Sequence, residues 1–182
     1  MKKYNIIYAD VPWSYKDKAN AGKRGASHKY ETMNLYDIEA LPVRDLAAEN
    51  SCLFFWTTMP QLFNAERIMN AWGFKYKTNA FTWIKMNKKN RNTLFWGMGS
   101  WTRANGELCL LGTRGRPKKV SSSVHSVIME PIGKHSAKPP IIRDKIVELC
   151  GDLPRIELFA RGKADNGWDI WGDQAIDGID FP

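Results

Sequence analysis

The alternation of short apolar runs with amphipathic segments constrains the fold of this 182-residue chain more than any other feature. Runs rich in β-branched and aromatic residues predict strands over residues 4–9, 52–56, 74–85, 107–112, 155–159 and 168–171. Helical periodicity predicts helices over residues 60–72 and 140–149, and over residues 36–48 with a break near Pro42. Strands that alternate with helices indicate an α/β fold, in which a mostly parallel sheet has helices on both faces.

Length and composition are consistent with a single domain, residues 1–182, because neither a linker nor an internal repeat is visible. No apolar stretch approaches the ~20 residues that span a bilayer, and the first strand begins without a signal-peptide pattern. We therefore expect a cytoplasmic protein that does not enter the membrane. Cys52, Cys109 and Cys150 are far apart in apolar surroundings, which favours buried thiols over a metal site.

The positive charge is concentrated in one segment of the chain. The formal net charge is +8, and residues 85–119 contain nine Lys or Arg residues and one acid, Glu107, so nine minus one accounts for all of it. A localised excess of this kind is typical of surfaces that bind phosphates, and a solvated basic loop is the alternative. In this segment we expect contacts with nucleic acid from Lys88, Lys89 and Arg91, and stacking on bases by Trp96 or Trp101.

The first predicted strand ends in the corner Asp10-Val11-Pro12-Trp13. The exocyclic amine of adenine is a poor nucleophile, and a site assists it by accepting hydrogen bonds from both amino hydrogens. The Asp10 carboxylate and a backbone carbonyl beside Pro12 are suited to this task, with Trp13 stacked on the ring. Since a base must leave its stack to enter such a site, a flipped or single-stranded nucleotide is implied. The alternative is that Asp10 caps a turn and Pro12 ends a strand.

A second group of residues follows the last two predicted strands. Arg161 and Gly162 come after one strand, and Gly172, Asp173 and Gln174 come after the other. Glycine permits the close backbone approach that a nucleotide-like ligand requires, and an acid at this place commonly binds ribose hydroxyls. In parallel sheets ligands bind beyond the carboxyl ends of strands, where the strand order reverses. We therefore expect the segments after Asp10 and Phe159 to be neighbours.

Taken together, these segments resemble the beta-class amino-methyltransferases whose motif reads D-P-P-W, and most of all their adenine-N6 branch. That branch includes the catalytic subunit of the mRNA adenosine methyltransferase and small phage and bacterial enzymes. The matches run in order through residues 8–13, 30–33, 53–56, 83–85, 107–112, 138–139, 156–161, 168 and 172–174. The resemblance implies a Rossmann-like methyltransferase fold with a circularly permuted motif order, because the catalytic corner precedes the donor-binding strand. It also implies S-adenosylmethionine as donor and adenine N6 in a polynucleotide as acceptor. We expect no metal, because the sequence has no pair of metal-ligating cysteines with short spacing.

The resemblance further implies roles for individual residues. At the target amine or base it places Asp10, Pro12, Trp13, Tyr30, Trp83 and Lys85. Around the donor it places Asp10 again, with Lys138 at the donor carboxylate, together with Phe159, Arg161, Asp173 and Gln174.

One position departs from the motif, because Val11 stands where the family has its first proline. Valine keeps the backbone carbonyl but adds an N–H and frees φ. The acid is intact, which favours an active enzyme. The alternatives are a non-catalytic nucleic-acid-binding subunit, which Val11 suggests, and methylation of cytosine N4, since a related corner serves both bases. DNA is favoured over RNA, although no reader of a 2′-hydroxyl is identifiable, and the sequence does not specify an oligomeric state.

Overall fold

The computed structural model describes residues 2–13, 33–99, 101–133 and 137–181. Its strands are β1 (Tyr4–Ala9), β2 (Ala47–Thr57), β3 (Lys75–Met86), β4 (Glu107–Arg114), β5 (Val127–Pro131), β6 (Arg155–Leu158), β7 (Arg161–Lys163), β8 (Asp169–Trp171) and β9 (Gln174–Ile176). Its helices are α1 (Leu35–Ala40), α2 (Val43–Leu46), α3 (Leu62–Ala71) and α4 (Ile141–Cys150), and a 3₁₀ turn over Met59–Gln61 precedes α3. None of these helices is long and apolar enough to cross a membrane.

Seven strands form the main sheet in the order β5-β3-β4-β2-β1-β6-β8, and β7 pairs with β9 in a separate ribbon. β4 is antiparallel to both of its neighbours, and every other pairing in the main sheet is parallel. The mostly parallel sheet that the sequence predicted is confirmed. The strand order reverses at β1, because the chain adds β2 on one side of β1 and later adds β6 on the other.

Helices cover both faces of the sheet, as the sequence predicted. Phe54 and Phe55 are adjacent in β2 and point to opposite faces, as successive strand residues do. Phe55 packs in a core with Ile68 of α3, on the face that α1 and α2 also cover. Phe54 packs on the other face in a core with Ile142 and Ile146 of α4. The carboxyl ends of β1, β2, β3 and β6 lie along one edge of this two-faced sheet.

The predicted helix over residues 36–48 is wrong at its end. α1 ends at Ala40, Pro42 precedes the single turn of α2, and the chain is already extended at Ala47, where β2 begins. Proline has no N–H to donate to the preceding turn, so the helical period does not continue through residue 42. Three strands were not predicted from the sequence: β5, and the three-residue β7 and β9, which are too short to display a period of two.

Candidate active site

β1 places Asp10 at the carboxyl edge of the sheet, where the strand order reverses. Ala9 pairs with Leu158, the last residue of β6, so Asp10 and Phe159 leave the sheet side by side. The predicted proximity of these two segments is therefore confirmed. Parallel sheets bind ligands at this position because the loops that leave two adjacent strands diverge there and open a crevice.

The corner after Asp10 is held by backbone hydrogen bonds. The carbonyl of Val11 accepts from the N–H of Trp13 at 2.9 Å, and the carbonyl of Pro12 accepts from the N–H of Met33 at 3.1 Å. A carbonyl oxygen has two lone pairs, so each can accept a second hydrogen bond. The Val11 side chain is buried in the core. Valine therefore contributes its carbonyl at this position, while its side chain contributes packing.

Trp13 packs inward against the core. It is only 7% exposed and meets Phe55 edge-on, with the ring centroids 6.0 Å apart. Its buried Nε1 has no hydrogen-bond partner within the described residues. Since the ring is covered in this structure, the stacking of Trp13 on a base stays a prediction.

Four side chains of alternating charge form an ion-pair chain along the edge of the sheet, in the order Asp10, Lys138, Glu107 and Lys85. Lys138 Nζ lies 2.9 Å from Asp10 Oδ1 and 3.1 Å from Glu107 Oε2, and Lys85 Nζ lies 2.5 Å from Glu107 Oε1. These side chains are only 12–26% exposed. Two tryptophans lie beneath the two cations, with Lys138 5.4 Å from the Trp56 ring and Lys85 5.2 Å from the Trp83 ring. Such cation–π contacts attract an ammonium group to the face of the ring and help to hold both side chains in place.

Burial and charge act in opposite directions along this ion-pair chain. Burial raises the pKa of the Asp10 carboxyl above its ordinary value, although Lys138 opposes the shift. Burial would also raise the pKa of Glu107, but Lys138 and Lys85 together bring it below its ordinary value. Burial would lower the pKa of Lys138, yet Asp10 and Glu107 raise it. At neutral pH Lys138 is protonated and Glu107 ionised, and Asp10 is the carboxyl that binds a proton more readily than usual.

A cavity of about 90 Å³ opens between the ends of β1 and β6. It is lined by Tyr8, Asp10, Ala137, Lys138, Arg143, Glu157, Phe159 and Arg161. Four of the six residues that the resemblance placed around a donor meet here: Asp10, Lys138, Phe159 and Arg161. The volume is below the ~300–1,000 Å³ of pockets that enclose drug-sized ligands. The cavity is therefore large enough to hold one end of a ligand of that size, but not the whole of it.

Asp173 and Gln174 lie outside the cavity wall, Asp173 in the turn after β8 and Gln174 at the start of β9. Both are exposed, and Gln174 pairs with Arg161 across β7 and β9. Phe159 has a φ of +61°, a conformation that non-glycine residues rarely adopt and that is concentrated at functional sites. Its ring meets Trp171 edge-on, with the centroids 5.3 Å apart, and it forms part of the cavity wall.

The family profile that matches this chain is that of MT-A70, over residues 4–174. The chain belongs to the MT-A70 family. It is 34% identical to the type II methyltransferase M.MunI from Mycoplasma sp., over 100% of this chain and 82% of that protein. It is 26% identical to the human N(6)-adenosine-methyltransferase catalytic subunit METTL3, over 97% of this chain but only 29% of METTL3. An Arabidopsis thaliana N(6)-adenosine-methyltransferase MT-A70-like protein is 24% identical, with 94% and 24% covered.

Membership of the MT-A70 family confirms the predicted family and the predicted enzyme class, a methyltransferase. The sheet, with its strand-order reversal and the corner at the end of β1, is consistent with the predicted Rossmann-like methyltransferase fold. Among the described residues, no three His, Cys, Asp or Glu side chains are grouped as metal ligands.

The sequence analysis did not identify Glu107, Arg143 and Glu157 as members of this ion-pair chain and cavity. Arg143 of α4 makes a bidentate pair with Glu157 of β6, with Nε 2.7 Å from Oε2 and Nη2 2.9 Å from Oε1. Their proximity depends on how α4 packs on the sheet, which no local pattern specifies. Glu107, in contrast, is the one acid among nine basic residues. That isolation could have identified it as a partner for buried lysines.

The acceptor-side predictions have different outcomes in the structure. Tyr30 lies outside the described residues. Trp83 is buried and donates from Nε1 to the carbonyl of Glu130 at 2.8 Å, so it supports Lys85 from below. Lys88 and Lys89 are exposed on the loop that follows β3, at the same edge of the sheet as Asp10. Contacts of these residues with a substrate stay predictions.

β4 divides the basic segment between two opposite edges of the sheet. Glu107, its first residue, lies at the active-site edge, and Arg114, its last, pairs with Ser51 near the other edge. Eight residues of strand separate the two ends by about 24 Å. Five basic residues lie on the active-site side: Lys85, Lys88, Lys89, Arg91 and Arg103. The other four lie toward the far edge: Arg114, Arg116, Lys118 and Lys119.

Proposed function

We propose that this chain transfers the methyl group of S-adenosylmethionine to the N6 amine of adenine in a polynucleotide. The observation that carries the proposal is the contact of Asp10 with Lys138 at the strand-order reversal, beside the cavity. The N(6)-adenosine-methyltransferases among its relatives support adenine as the base. The relative that the chain covers to 82% is a type II methyltransferase, which favours DNA as the polynucleotide.

The residues present fit this donor. S-adenosylmethionine supplies an electrophilic methyl group on a sulfonium and ends in an amino acid. Lys138 is a buried ammonium with three N–H donors, two of which bond Asp10 and Glu107, so one is left for the donor carboxylate. Phe159 and Arg161 line the same cavity. Asp173 and Gln174, where β8 continues into the adjacent ribbon, are proposed to contact the ribose.

Asp10 and the backbone of the corner hold the acceptor amine in this mechanism. One Oδ of Asp10 accepts a hydrogen bond from the amine, and the carbonyl of Val11 or Pro12 accepts the second. Both bonds draw the nitrogen toward tetrahedral geometry, which frees its lone pair for in-line attack on the methyl carbon. Transfer would form the N–C bond as the C–S bond breaks, and the amine would then carry positive charge and release a proton. Asp10 is the adjacent carboxylate, and burial has raised its proton affinity.

The target base must be outside its stack to reach these groups, so it is flipped from a duplex or already unpaired. Tyr30 and Trp13 are proposed to contact this base. Lys85 is proposed to lie on its acceptor side, where its ion pair with Glu107 fixes its direction. Trp83 then acts by supporting Lys85.

The test uses labelled donor with separate DNA and RNA, followed by mass analysis of the nucleosides. N6-methyladenine is expected with the native chain and is expected to fall at least 100-fold with Asp10→Asn, which keeps the side-chain shape but removes the anionic acceptor. Asp180→Asn is the matched control, because Asp180 is exposed and outside the cavity wall.

Two results would contradict the proposal. Donor binding without methylated adenine in any polynucleotide would indicate the non-catalytic binding subunit. Methylation of cytosine N4 in place of adenine would move the activity to the other amine that such a corner can hold.

A further inference from the structure

We infer that the loop after β3 is a binding surface for unpaired nucleotides, on which Trp96 and Trp101 stack with bases while adjacent cations contact phosphates. This surface, called here the basic aromatic loop, comprises residues 87–99 and 101–105. The inference rests on the proposed function for its choice of substrate, because it places the surface beside the site that would receive the target base. It adds that the chain prefers unpaired over duplex nucleic acid, and it names the residues that hold the unpaired nucleotides.

The loop has an ordered backbone. Asn87 donates from its side chain to Thr93 Oγ1 at 2.9 Å and to the carbonyl of Leu94 at 3.0 Å, which closes the first half of the loop. Phe95 donates its N–H to the carbonyl of Lys85 at 2.9 Å, and Gly97 donates to the carbonyl of Ala104 at 2.7 Å. These bonds join the loop to the end of β3.

Asn105 connects both halves of the loop to the active-site edge. Its Oδ1 accepts from the N–H of Lys85 at 2.9 Å, and its Nδ2 donates to the carbonyl of Lys85 at 2.9 Å and to that of Phe95. Lys85 is also the last member of the ion-pair chain that leads through Glu107 and Lys138 to Asp10. The loop therefore begins at the site and is held in a fixed position relative to it.

Large apolar side chains on this ordered loop point into solvent. Trp101 is 99% exposed and Trp96 is 57% exposed, and Met98 between them is exposed as well. Tryptophan is mostly buried in folded proteins, and a cluster of exposed apolar side chains on an ordered backbone marks an interaction surface. Because Trp101 is almost fully exposed, both faces of its ring are accessible to a flat partner.

The charge of the loop identifies that partner. Lys88, Lys89, Arg91 and Arg103 are all exposed, and residues 87–105 contain no Asp or Glu. A second copy of this chain seated symmetrically on the loop would bring four positive charges against four more, which is unfavourable. A polynucleotide supplies phosphates for the cations and flat bases for the tryptophans. Combined aromatic and basic groups of this kind are typical of surfaces that bind single strands without sequence preference.

The unpaired state follows from the accessibility of base faces. In a duplex each base is already stacked between its neighbours, so only phosphates would be available to the loop. In a single strand, or beside a flipped nucleotide, bases are free to stack on Trp96 and Trp101. We therefore expect the loop to hold nucleotides that flank the target, with little dependence on their sequence.

The test measures binding of fluorescently labelled oligothymidine to the full chain by anisotropy, across a series of salt concentrations. This strand contains no adenine, so its affinity reports the surface and not the target site. We expect the double variant Trp96→Ala/Trp101→Ala to weaken binding about tenfold or more with an unchanged salt slope. We expect Lys88→Ala/Lys89→Ala/Arg91→Ala to reduce the slope of log K against log salt by about 2, since each single-strand phosphate contact contributes ~0.7.

The matched control is Arg116→Ala/Lys118→Ala/Lys119→Ala, which removes the same charge from the far edge of the sheet. It is expected to change neither the affinity nor the salt slope. Equal losses from the two triple variants would overturn the inference, because binding would then follow total charge. A duplex bound more tightly than the single strand would overturn it as well. So would a native dimer that becomes a monomer with Trp96→Ala/Trp101→Ala while oligothymidine affinity is unchanged, since the loop would then bind a second copy.

Failure of this inference is distinguishable from failure of the proposed function. If the variants behave as expected but no polynucleotide is methylated, the surface stands and the methyl-transfer proposal fails. If adenine is methylated but the loop variants bind oligothymidine normally, the surface is elsewhere and the methyl-transfer proposal stands.

Discussion

Lys138 connects the two parts of the candidate site, the corner proposed to hold the acceptor amine and the cavity proposed for the donor. Its ammonium bonds the carboxylate proposed to hold the acceptor amine, at 2.9 Å, and it lies in the cavity proposed for the donor. Burial pushes the Asp10 carboxyl toward its neutral form, and Lys138 is the strongest influence in the other direction. A neutral Asp10 would accept weaker hydrogen bonds from the acceptor amine and from the Lys138 ammonium than the ionised carboxylate does. In the proposed mechanism Lys138 therefore supports both the residue that holds the acceptor amine and the cavity that receives the donor.

Lys138→Met is expected to move the acid limb of the pH–activity profile to higher pH. In the proposed mechanism Asp10 works in its ionised form, so activity is expected to be lost as pH falls through its pKa. Removing the cation that lowers this pKa most leaves only the weaker influence of Arg161 against burial, so the pKa rises and the loss begins at a higher pH. The loss of a charge-assisted hydrogen bond of ~1.5–3 kcal/mol also predicts a roughly 10- to 100-fold higher donor KM. The measurement is kcat/KM for the polynucleotide against pH, with Lys145→Met on the distal part of α4 as control. An unmoved limb would show that Lys138 does not determine the ionisation of Asp10.

At the scale of elements, the proposed donor side depends on how closely the turns after β6 and β8 approach each other. β6 continues into β7 through Phe159 and Ala160, and β8 continues into β9 through Gly172 and Asp173. Ala160 donates its N–H to the carbonyl of Trp171 at 2.9 Å, which joins the two turns. A Cβ on Gly172 would lie 2.5 Å from the carbonyl oxygen of Ala160 and 2.8 Å from its nitrogen. Glycine is required at position 172 because the backbone of Ala160 leaves no room for a Cβ atom.

Gly172→Ala is expected to separate these turns, lowering the free energy of unfolding by about 1–3 kcal/mol and raising the Kd of the donor product about tenfold. Both effects arise because backbone atoms of Ala160, which cannot rotate away, must move. Gly162→Ala is the matched control: its φ is +78°, but a Cβ there meets nothing within 4 Å. That variant is expected to lose about 1 kcal/mol through backbone strain alone and to bind normally. Chemical denaturation and calorimetry with S-adenosylhomocysteine measure the two quantities, and equal Kd values for both variants would contradict the steric explanation.

At the scale of the whole molecule, the sequence was sufficient to predict a residue's position where that position depends only on the residue type and its place in a strand. The position of Asp10 directly after an apolar run predicted an acid at the edge of a parallel sheet. The pairing of Ala9 with Leu158 confirmed the prediction that the segment after Phe159 lies beside it. The bonds of Glu107 to Lys85 and Lys138 join β4 to the end of β3 and to the segment before α4, so they exist only in the folded sheet. The left-handed backbone of Phe159 is equally unpredictable, because glycine is the residue expected there. The division of the basic segment follows from the direction of β4, which charge counting does not reveal.

Asp169 connects the beginning of the described chain to its last sheet strand and is expected to contribute stability that depends on pH. Its Oδ2 accepts from the Tyr4 hydroxyl and from Lys2 Nζ, each at 2.6 Å, so it joins β1 to β8 across β6. Although burial opposes the shift, these two donors lower the pKa of Asp169 below its ordinary value. The stabilisation is therefore fully present above the unfolded pKa of about 3.9 and is lost as pH falls through the lower folded pKa.

Asp169→Asn is expected to reduce the free energy of unfolding at pH 7 by about 1–3 kcal/mol, the cost of weakening the hydrogen bond that the buried Tyr4 hydroxyl donates. Urea denaturation of both proteins at pH 7 and near pH 3 measures this difference, with Asp165→Asn, an exposed carboxylate, as control. A difference that stays constant between the two pH values would show that the ionised carboxylate is not its source.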